Sequence, residues 1–251
     1  MPTTPSGRAT SASPRRPRPI AADRVRIVVL TGAGISAESG LATFRASDGL
    51  WEDHHIEDVA TPEGFARDPG LVHRFYNARR EAAAAALPNA AHRALAELAR
   101  LHELTLVTQN VDDLHERGGS SEVIHMHGQL RRALCADCEH RWDAPARMHP
   151  EDRCPFCGVG AARPDIVWFG EMPYHMERIW EALERADLFA AVGTSGNVYP
   201  AAGFVQHAAR RGAECVELNL DASANAHDFD RRILGPASRT VPEWVASLGL
   251  G

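Results

Sequence analysis

The sequence of 251 residues contains no lysine, and all 27 of its basic residues are arginine. Walker-type phosphate loops and Schiff-base enzymes both require a lysine, so these two classes are excluded. The sequence also lacks an apolar run of about 18 residues, the length that a membrane-spanning helix needs. Its formal net charge of -6 argues against nucleic-acid binding driven by overall charge. We therefore expect a cytoplasmic protein that neither crosses a membrane nor binds nucleic acid directly.

The first 20 residues contain no acidic residue and are rich in proline, serine, threonine and arginine. This composition predicts a disordered tail. Arg15 and Arg16 could belong to a twin-arginine export signal, but no apolar segment follows them. A mitochondrial transit peptide would need an amphipathic helix, which the five prolines of this segment would break.

A glycine-containing turn follows the apolar run Ile27–Leu30. Its pattern, Gly32-x-Gly34-x-x-Ala37, fits the phosphate-binding turn of a dinucleotide fold. The first glycine would permit a tight turn, and the second would let the backbone approach a pyrophosphate. Ala37 would let the next helix pack closely, with its N-terminal N–H groups directed at the phosphates. The alternative is an ordinary strand-to-helix turn.

Apolar runs at 25–31, 104–108, 123–126, 188–192 and 215–220 predict buried strands. Helical patterns at 69–86 and 90–98 lie between the first two of them. Strands that alternate with helices predict an α/β fold with a parallel sheet covered on both faces. Ligands bind at the carboxyl ends of the strands in such a sheet. Four polar or glycine residues fall at these predicted ends: Gly32, Gln109, Gly193 and Asn219.

Four cysteines are arranged as two C-x2-C pairs, Cys135 with Cys138 and Cys154 with Cys157. This spacing is typical of a tetrathiolate zinc site. Four protein ligands leave no open position for water, so we expect a structural zinc. Two disulfides or a four-thiolate iron site are the alternatives. The remaining cysteine, Cys215, falls inside a predicted strand and is expected to be a core thiol.

Two polar clusters are candidates for the chemistry. Gln109, Asn110 and Asp112 follow a predicted strand and suit contacts to a ribose and a carboxamide, although a helix N-cap would explain them as well. His125 and His127 precede Gly128, and imidazole is the usual general base at neutral pH. We expect both histidines on one face of an extended strand, so spacing alone does not choose between them.

Taken together, these motifs resemble the sirtuins, which are NAD-dependent protein-lysine deacylases. The matching stretches are GAGISAESGLATFR (32–45), TQNVDDLH (108–115), HMHG (125–128), the two C-x2-C pairs, PDIVWFGE (164–171), GTS (193–195) and ELN (217–219). The resemblance implies a sirtuin catalytic domain over residues 21–251. Its Rossmann-like part would comprise residues 21–42, 90–130 and 165–251, and its small domain a helical part at about 43–89 and a zinc ribbon at about 131–164.

The resemblance also implies roles for individual residues. His127, directly before the glycine, would be the general base, and Asn110 would hold the nicotinamide ribose. Ile35 and Asp112 would form the carboxamide pocket. NAD would be bound by Gly32, Ala33, Gly34, Ile35, Ser36, Ala37, Phe44, Arg45, Trp51, Gln109, Asn110, Val111, Asp112, Gly193, Thr194, Ser195, Asn219, Leu220, Asp221 and Ala237. The loop from 42 to about 60 would close over it. The substrate peptide would lie as an added strand between two segments, contacting Val167, Phe169, Gly170, Glu171, Gly196 and Val198.

The implied reaction consumes NAD. The acyl oxygen attacks C1′ of the nicotinamide ribose and nicotinamide leaves. His127 then deprotonates a ribose hydroxyl, which attacks the resulting imidate, and water completes the release of lysine. The products are nicotinamide, 2'-O-acyl-ADP-ribose and free lysine. We expect the enzyme to be a monomer.

Tyr76 and Arg79 are three residues apart in a predicted helix and so share one face. A phenol beside a guanidinium can bind a carboxylate, although the pair by itself favours a packing tyrosine and a surface arginine. Within the sirtuin resemblance, YxxR is similar to the signature of the branch that removes succinyl and malonyl groups, and Ala60 matches the small residue that widens its acyl pocket. We expect removal of acetyl groups and also of succinyl and malonyl groups.

Other classes of protein would need different sequence features. A dehydrogenase needs an acidic residue at the end of its second strand; Glu52 and Asp53 have about the right spacing, but no strand precedes them. A nucleic-acid-binding zinc ribbon would use the arginines between 131 and 163, which are interleaved with acids. Mono-ADP-ribosyl transfer would use the same NAD site and is a closer alternative than these two classes. A deacetylase without acidic-acyl activity is a further alternative.

Overall fold

The structure is a computed structural model that describes residues 24–42, 50–51 and 54–249. The predicted tail at 1–20 lies outside these ranges. The described part contains eleven strands: β1 (Arg26–Thr31), β2 (Leu50–Trp51), β3 (His54–His55), β4 (Glu103–Thr108), β5 (Ile124–His125), β6 (Gly128–Cys135), β7 (Arg141–Asp143), β8 (Ala162–Ile166), β9 (Leu188–Val192), β10 (Glu214–Asn219) and β11 (Arg231–Leu234).

Eight α-helices accompany these strands in the described ranges: α1 (Ile56–Val59), α2 (Pro62–Arg67), α3 (Pro69–Ala85), α4 (Ala90–Leu101), α5 (Leu114–Arg117), α6 (Met176–Arg185), α7 (Phe204–Arg211) and α8 (Ala237–Leu248). Their starts follow capping rules. Asp68 accepts a hydrogen bond from the Leu71 N–H at the start of α3, where Pro69 is the first helical residue. Asn89 and His92 form a reciprocal capping box at the start of α4.

The central sheet has six parallel strands in the order β11-β10-β9-β1-β4-β5. The chain builds outward from β1 to β4 and β5, then crosses back to place β9 on the other side of β1. The strand order therefore reverses between β1 and β9. Ligands of open parallel sheets bind at the carboxyl ends of the strands, beside this switch point. We therefore expect a ligand site at the loops after Thr31 and Val192.

Both faces of the sheet are buried, as the continuous apolar strands require. In β1, Val28 and Leu30 pack in one core cluster with Phe189 and Phe204, the latter at the start of α7. Successive side chains of a strand point to opposite faces. The alternate residues of β1 accordingly pack on the other face, in a second cluster that includes residues of α4 and α8. The predicted α/β class with helices on both faces is confirmed.

A second, three-stranded antiparallel sheet has the order β7-β6-β8 and carries the four paired cysteines near its end. A third core cluster joins the helical segment to this region through Phe75, Tyr76, Leu130 and Trp168. The predicted boundaries of the small domain at 43–89 and 131–164 stay a prediction. Within the described residues, no helix is long and apolar enough to cross a membrane.

Two local predictions were wrong. The α-helix expected after Ala37 is replaced by two 3-10 turns, Ala33–Ile35 and Ala37–Ser39, and Gly40 ends the second turn in the left-handed conformation with a φ of 88°. The extended strand expected through His127 ends at His125, because the chain turns before β6 begins at Gly128.

Candidate functional site

A cavity of about 1000 Å³ opens at the carboxyl ends of the central strands. The loops after β1, β4, β9 and β10 form one end of it, and α3 with the segment after β8 forms the other. Its volume is at the upper end of the range for small-molecule and cofactor sites. The cavity is therefore large enough for a dinucleotide together with a second substrate group.

Glycines at the switch point let two loops approach closely. Gly34 N donates to Gly193 O at 2.9 Å, and a Cβ atom on Gly34 would lie 2.6 Å from the Gly193 Cα. Gly193 itself has a φ of 62°. Any side chain at Gly34 would therefore collide with backbone. The second glycine of the turn is needed at least for this loop contact, and its approach to a pyrophosphate stays a prediction.

A buried polar network follows β4. Asn110 Nδ2 donates to Gly32 O at 3.1 Å and to Ser36 Oγ at 3.2 Å. Ser36 Oγ in turn donates to Asp112 Oδ2 at 3.2 Å, and Asp112 Oδ1 accepts from Leu114 N. Burial raises the pKa of Asp112, while the hydrogen bonds from Leu114 and Ser36 act in the opposite direction. Asp112 thus accepts from the first N–H of the following short helix, whose N-cap residue is Asp113, and also ties the glycine turn to this loop.

The two candidate histidines have different surroundings. His127 lines the cavity, and its Nδ1 lies 3.2 Å from Gln109 O. Because a carbonyl only accepts, Nδ1 carries the hydrogen and Nε2 keeps a lone pair. Burial lowers the pKa of His127. His125 is 4 % exposed, and its Nε2 lies 2.7 Å from Glu116 Oε1. Of the two, His127 is the one with a neutral base facing the cavity.

The other end of the cavity contains Tyr76 and Arg79 on α3, with Ala60 nearby. Tyr76 is fully buried, and its hydroxyl oxygen accepts a hydrogen bond of 3.0 Å from Trp168 Nε1. Burial raises the pKa of Tyr76, so the phenol is protonated at neutral pH, although the neighbouring Arg79 acts against that shift. A phenol donor and a guanidinium therefore face the same space.

The structure brings most of the predicted site residues to this one cavity. Those that line it are Gly32, Ala33, Gly34, Ser36, Ala37, Ala60, Tyr76, Arg79, Gln109, Asn110, Val111, Asp112, His127, Val167, Phe169, Gly170, Glu171, Gly193, Thr194, Ser195, Val198, Asn219, Leu220, Asp221 and Ala237.

Five predicted residues do not appear in that lining. Ile35 is fully buried in the second core cluster of the central sheet, and Gly196 lines a smaller neighbouring cavity. Phe44, Arg45 and the side chain of Trp51 lie outside the described residues. Their predicted roles in binding NAD or the substrate peptide stay predictions.

Sequence reasoning missed several residues at the acyl end. Ala83, Leu130, Ile166 and Trp168 line the cavity beside Tyr76. Trp168 lies between two residues predicted to contact substrate, and this adjacency is the one signal that could have indicated it. The other three carry no chemical signal, because small and aliphatic side chains occur throughout any core.

The four paired cysteines form one cluster in which all sulfur atoms lie within 4.8 Å of one another. Cys135 Sγ and Cys157 Sγ are 3.7 Å apart, as are Cys138 Sγ and Cys154 Sγ. A tetrahedral ion with Zn–S bonds of about 2.3 Å separates its ligands by roughly 3.8 Å. A disulfide bond would need about 2.05 Å, so the disulfide alternative was wrong for these cysteines. The donor set and spacing fit a structural zinc ion, and Cys215 is a buried core thiol.

Comparisons with known proteins agree with this geometry. The Sir2 family model matches residues 32–200. A relative from Escherichia coli (strain K12), named NAD-dependent protein deacylase, is 55 % identical over 235 residues, which cover 92 % of this chain and 84 % of the relative. A relative of the same name from Caulobacter vibrioides is 54 % identical over 230 residues, covering 89 % of this chain and 97 % of the relative.

Solved structures give the same result for the fold. A complex of a Sir2 homologue with NAD superposes with a TM-score of 0.81 at 42 % identity, covering 88 % of each chain. A Sir2 protein bound to a myristoylated histone peptide superposes with a TM-score of 0.70 at 32 % identity, covering 88 % of this chain and 90 % of that one.

Proposed function

The chain belongs to the Sir2 family, and on that basis we propose that it is an NAD-dependent deacylase of protein lysines. One observation carries the proposal beyond family membership. A single cavity joins the glycine turn and Asn110 to the pair Tyr76 and Arg79. His127 connects the two ends, because its ring bonds to Gln109 O and its own carbonyl accepts from Val167 N.

NAD supplies the ADP-ribose that accepts the acyl group and the nicotinamide that leaves. We assign the nucleotide end of the cavity to NAD, with Asn110, Ser36 and Asp112 holding the ribose and the carboxamide. The Nε2 lone pair of His127 accepts the proton of a ribose hydroxyl. The lowered pKa of His127 supports this role, because the imidazole is then neutral and able to accept a proton at pH 7.

We assign the acyl group to the end formed by Tyr76, Arg79 and Ala60. A protonated phenol and a guanidinium are both donors, so together they favour an acyl chain that ends in a carboxylate, such as succinyl or malonyl. A hydrogen bond to a charged group contributes about 1.5–3 kcal/mol, which corresponds to about ten- to a hundredfold in preference. Acetyl groups lack this contact but still fit, so the enzyme removes both kinds.

The peptide around the acyl-lysine is assigned to the opening between residues 167–171 and 196–198. Neither segment belongs to a strand of the described sheets, and both contain residues that line the cavity. The extended peptide would lie between the two segments as an added strand.

We propose that the protein acts as a cytoplasmic monomer without direct nucleic-acid contact. Two arginines of the cysteine-bearing sheet are paired with acids, Arg132 with Asp143 and Arg141 with Asp165. This pairing supports the proposed lack of nucleic-acid contact.

Zinc would be held by the four paired cysteines away from the cavity, which gives it a structural and not a catalytic role.

Product analysis tests the proposal. The protein is incubated with NAD and either an acetyl-lysine or a succinyl-lysine peptide, and the products are identified by mass spectrometry. We expect nicotinamide, O-acyl-ADP-ribose and free lysine in equal amounts. Because the chain has no lysine, every acyl-lysine signal comes from the peptide. NADH would indicate a dehydrogenase, and a peptide carrying ADP-ribose would indicate mono-ADP-ribosyl transfer; either result contradicts the proposal.

A further inference from the structure

Trp168 contacts the proposed acyl selector but has no part in the reaction assigned above. Its Nε1–H donates to the hydroxyl oxygen of Tyr76 at 3.0 Å, and Trp168 is only 2 % exposed. An indole N–H is a donor and cannot accept. The phenol oxygen therefore acts as the acceptor in this contact. The hydrogen of the phenol must then point to a different partner.

The indole is fixed by a neighbouring arginine. The Arg163 guanidinium carbon lies 3.5 Å from the centroid of the Trp168 ring, well within the range of a cation–π contact. Arg163 is 7 % exposed, and its Nη2 donates to Ile166 O at 2.7 Å. The indole cannot rotate away from Tyr76 without displacing this guanidinium from its own hydrogen bonds.

Glu171 completes the arrangement. Arg163 donates to both Glu171 carboxylate oxygens, at 2.7 and 2.9 Å, and Trp168 N donates to Oε2 at 2.8 Å. Burial opposes ionisation of Glu171, but the hydrogen bonds from Arg163 and the Trp168 backbone hold its pKa below the usual value. The charged carboxylate thus anchors the backbone of Trp168 directly and its ring through Arg163.

We propose that Trp168 is a positioning residue for acyl selectivity, whose indole N–H turns the Tyr76 hydroxyl into a donor toward the distal carboxylate of the acyl chain. The inference rests on the proposed function, since it assumes that Tyr76 and Arg79 bind that carboxylate. A hydroxyl that already accepts a hydrogen bond is a stronger donor, because hydrogen bonds in a chain polarise one another. An acetyl group has no distal carboxylate, so deacetylation does not use this contact.

A purely structural role for Trp168 makes a different prediction. Trp168 packs in the third core cluster with Phe75 and Leu130. If packing were its whole contribution, its loss would impair deacetylation and desuccinylation equally. Selectivity between the two acyl groups is therefore the readout that separates the two roles.

The first test is Trp168→Phe, which keeps an aromatic ring and removes the N–H donor. We expect the KM for a succinyl-lysine peptide to rise about 3- to 10-fold, the range of one neutral hydrogen bond. The kcat and the KM for the matching acetyl-lysine peptide should change less than about twofold. Trp142→Phe, in the cysteine-bearing sheet, is the matched control and should leave both KM values unchanged. Equal losses on the two peptides would overturn the proposal.

A double-mutant comparison separates this inference from the selector itself. In a Tyr76→Phe background there is no hydroxyl to orient, so adding Trp168→Phe should not change the succinyl-to-acetyl ratio further. Effects that multiply would show that Trp168 acts independently of Tyr76 and would contradict the inference while leaving the selector intact. If Tyr76→Phe alone leaves the ratio at the wild-type value, the proposed selector fails, and this inference fails with it.

If Trp168→Phe does not fold, an isosteric replacement of Trp168 tests the same N–H donor. Benzothienylalanine introduced at position 168 keeps the shape of the bicyclic ring and replaces its N–H by sulfur. We expect the same 3- to 10-fold rise in the KM for the succinyl-lysine peptide. A wild-type KM for this variant would overturn the proposal, because the N–H would then contribute nothing.

Discussion

The Nδ1 atom of His127 lies 3.2 Å from the carbonyl oxygen of Gln109. This contact fixes the tautomer of the ring, since a carbonyl oxygen can only accept the hydrogen. Nε2 therefore has the lone pair that a general base needs. The glycine after His127 and the turn before β6 bring this atom to the cavity, whereas His125, two residues earlier, faces Glu116.

The pH dependence of deacylation should report on His127. Burial lowers its pKa below the usual value near 6.5. The proposed general base acts in its neutral form, so kcat/KM should be constant around pH 7 and fall only as the pH drops below about 6.5. His127→Tyr should abolish turnover of both peptides. His207→Gln, which alters a partly buried histidine of α7 that does not line the cavity, should keep the wild-type profile. An acid limb well above pH 7, or substantial turnover by His127→Tyr, would contradict the assignment.

Zinc binding should depend on the four paired cysteines and should not depend on Cys215. We expect one zinc per chain by elemental analysis, and loss of that zinc in Cys135→Ser. Cys215→Ser, at a buried thiol outside the cluster, should keep the metal. Removal of zinc by a strong chelator should unfold the three-stranded sheet, because structural zinc sites contribute folding free energy. An active, fully folded protein without bound metal would argue against a structural ion.

The buried histidines should make the protein less stable in acid. Burial lowers the pKa of His92 to about 4. Because the unfolded chain then binds a proton that the folded protein does not, the free energy of unfolding decreases as the pH falls from about 6.5 to 4. The shift for this one residue corresponds to about 3 kcal/mol.

Denaturant unfolding at several pH values measures this effect. His92→Gln keeps a side chain that can complete the capping box at Asn89 but removes the titration. Its free energy of unfolding should depend less steeply on pH between 6.5 and 4 than that of the wild type. His227→Gln, at a histidine that is 76 % exposed, should keep the wild-type slope. Parallel curves for all three proteins would mean that His92 does not titrate differently on folding.

Much of the fold was predictable because its signals are local. The apolar runs predicted five strands of the central sheet to within a residue or two, and their carboxyl ends correctly indicated where the cavity lies. The cysteine spacing predicted the cluster at the three-stranded sheet. These features depend on residues close together in the chain, so pattern and spacing contain the information.

Other features depend on contacts between distant segments, which no local pattern indicates. Gly34 is needed because Gly193, at the end of β9, takes the space of a side chain. Trp168 and Tyr76 are 92 residues apart in sequence, and nothing in either segment indicates that they meet. The strand through His125 ended early because the chain turns to start β6, which pairs with β8. Such features appear only once the chain is folded.

We propose that one cavity removes acyl groups from lysine and selects them by charge through Tyr76 and Arg79. The most direct test compares kcat/KM for matched succinyl-lysine and acetyl-lysine peptides in the wild type and in Tyr76→Phe/Arg79→Met, with NAD present. We predict that the double variant loses about ten- to a hundredfold on the succinyl peptide while deacetylation is largely spared. Equal loss on both peptides would contradict charge selection by Tyr76 and Arg79.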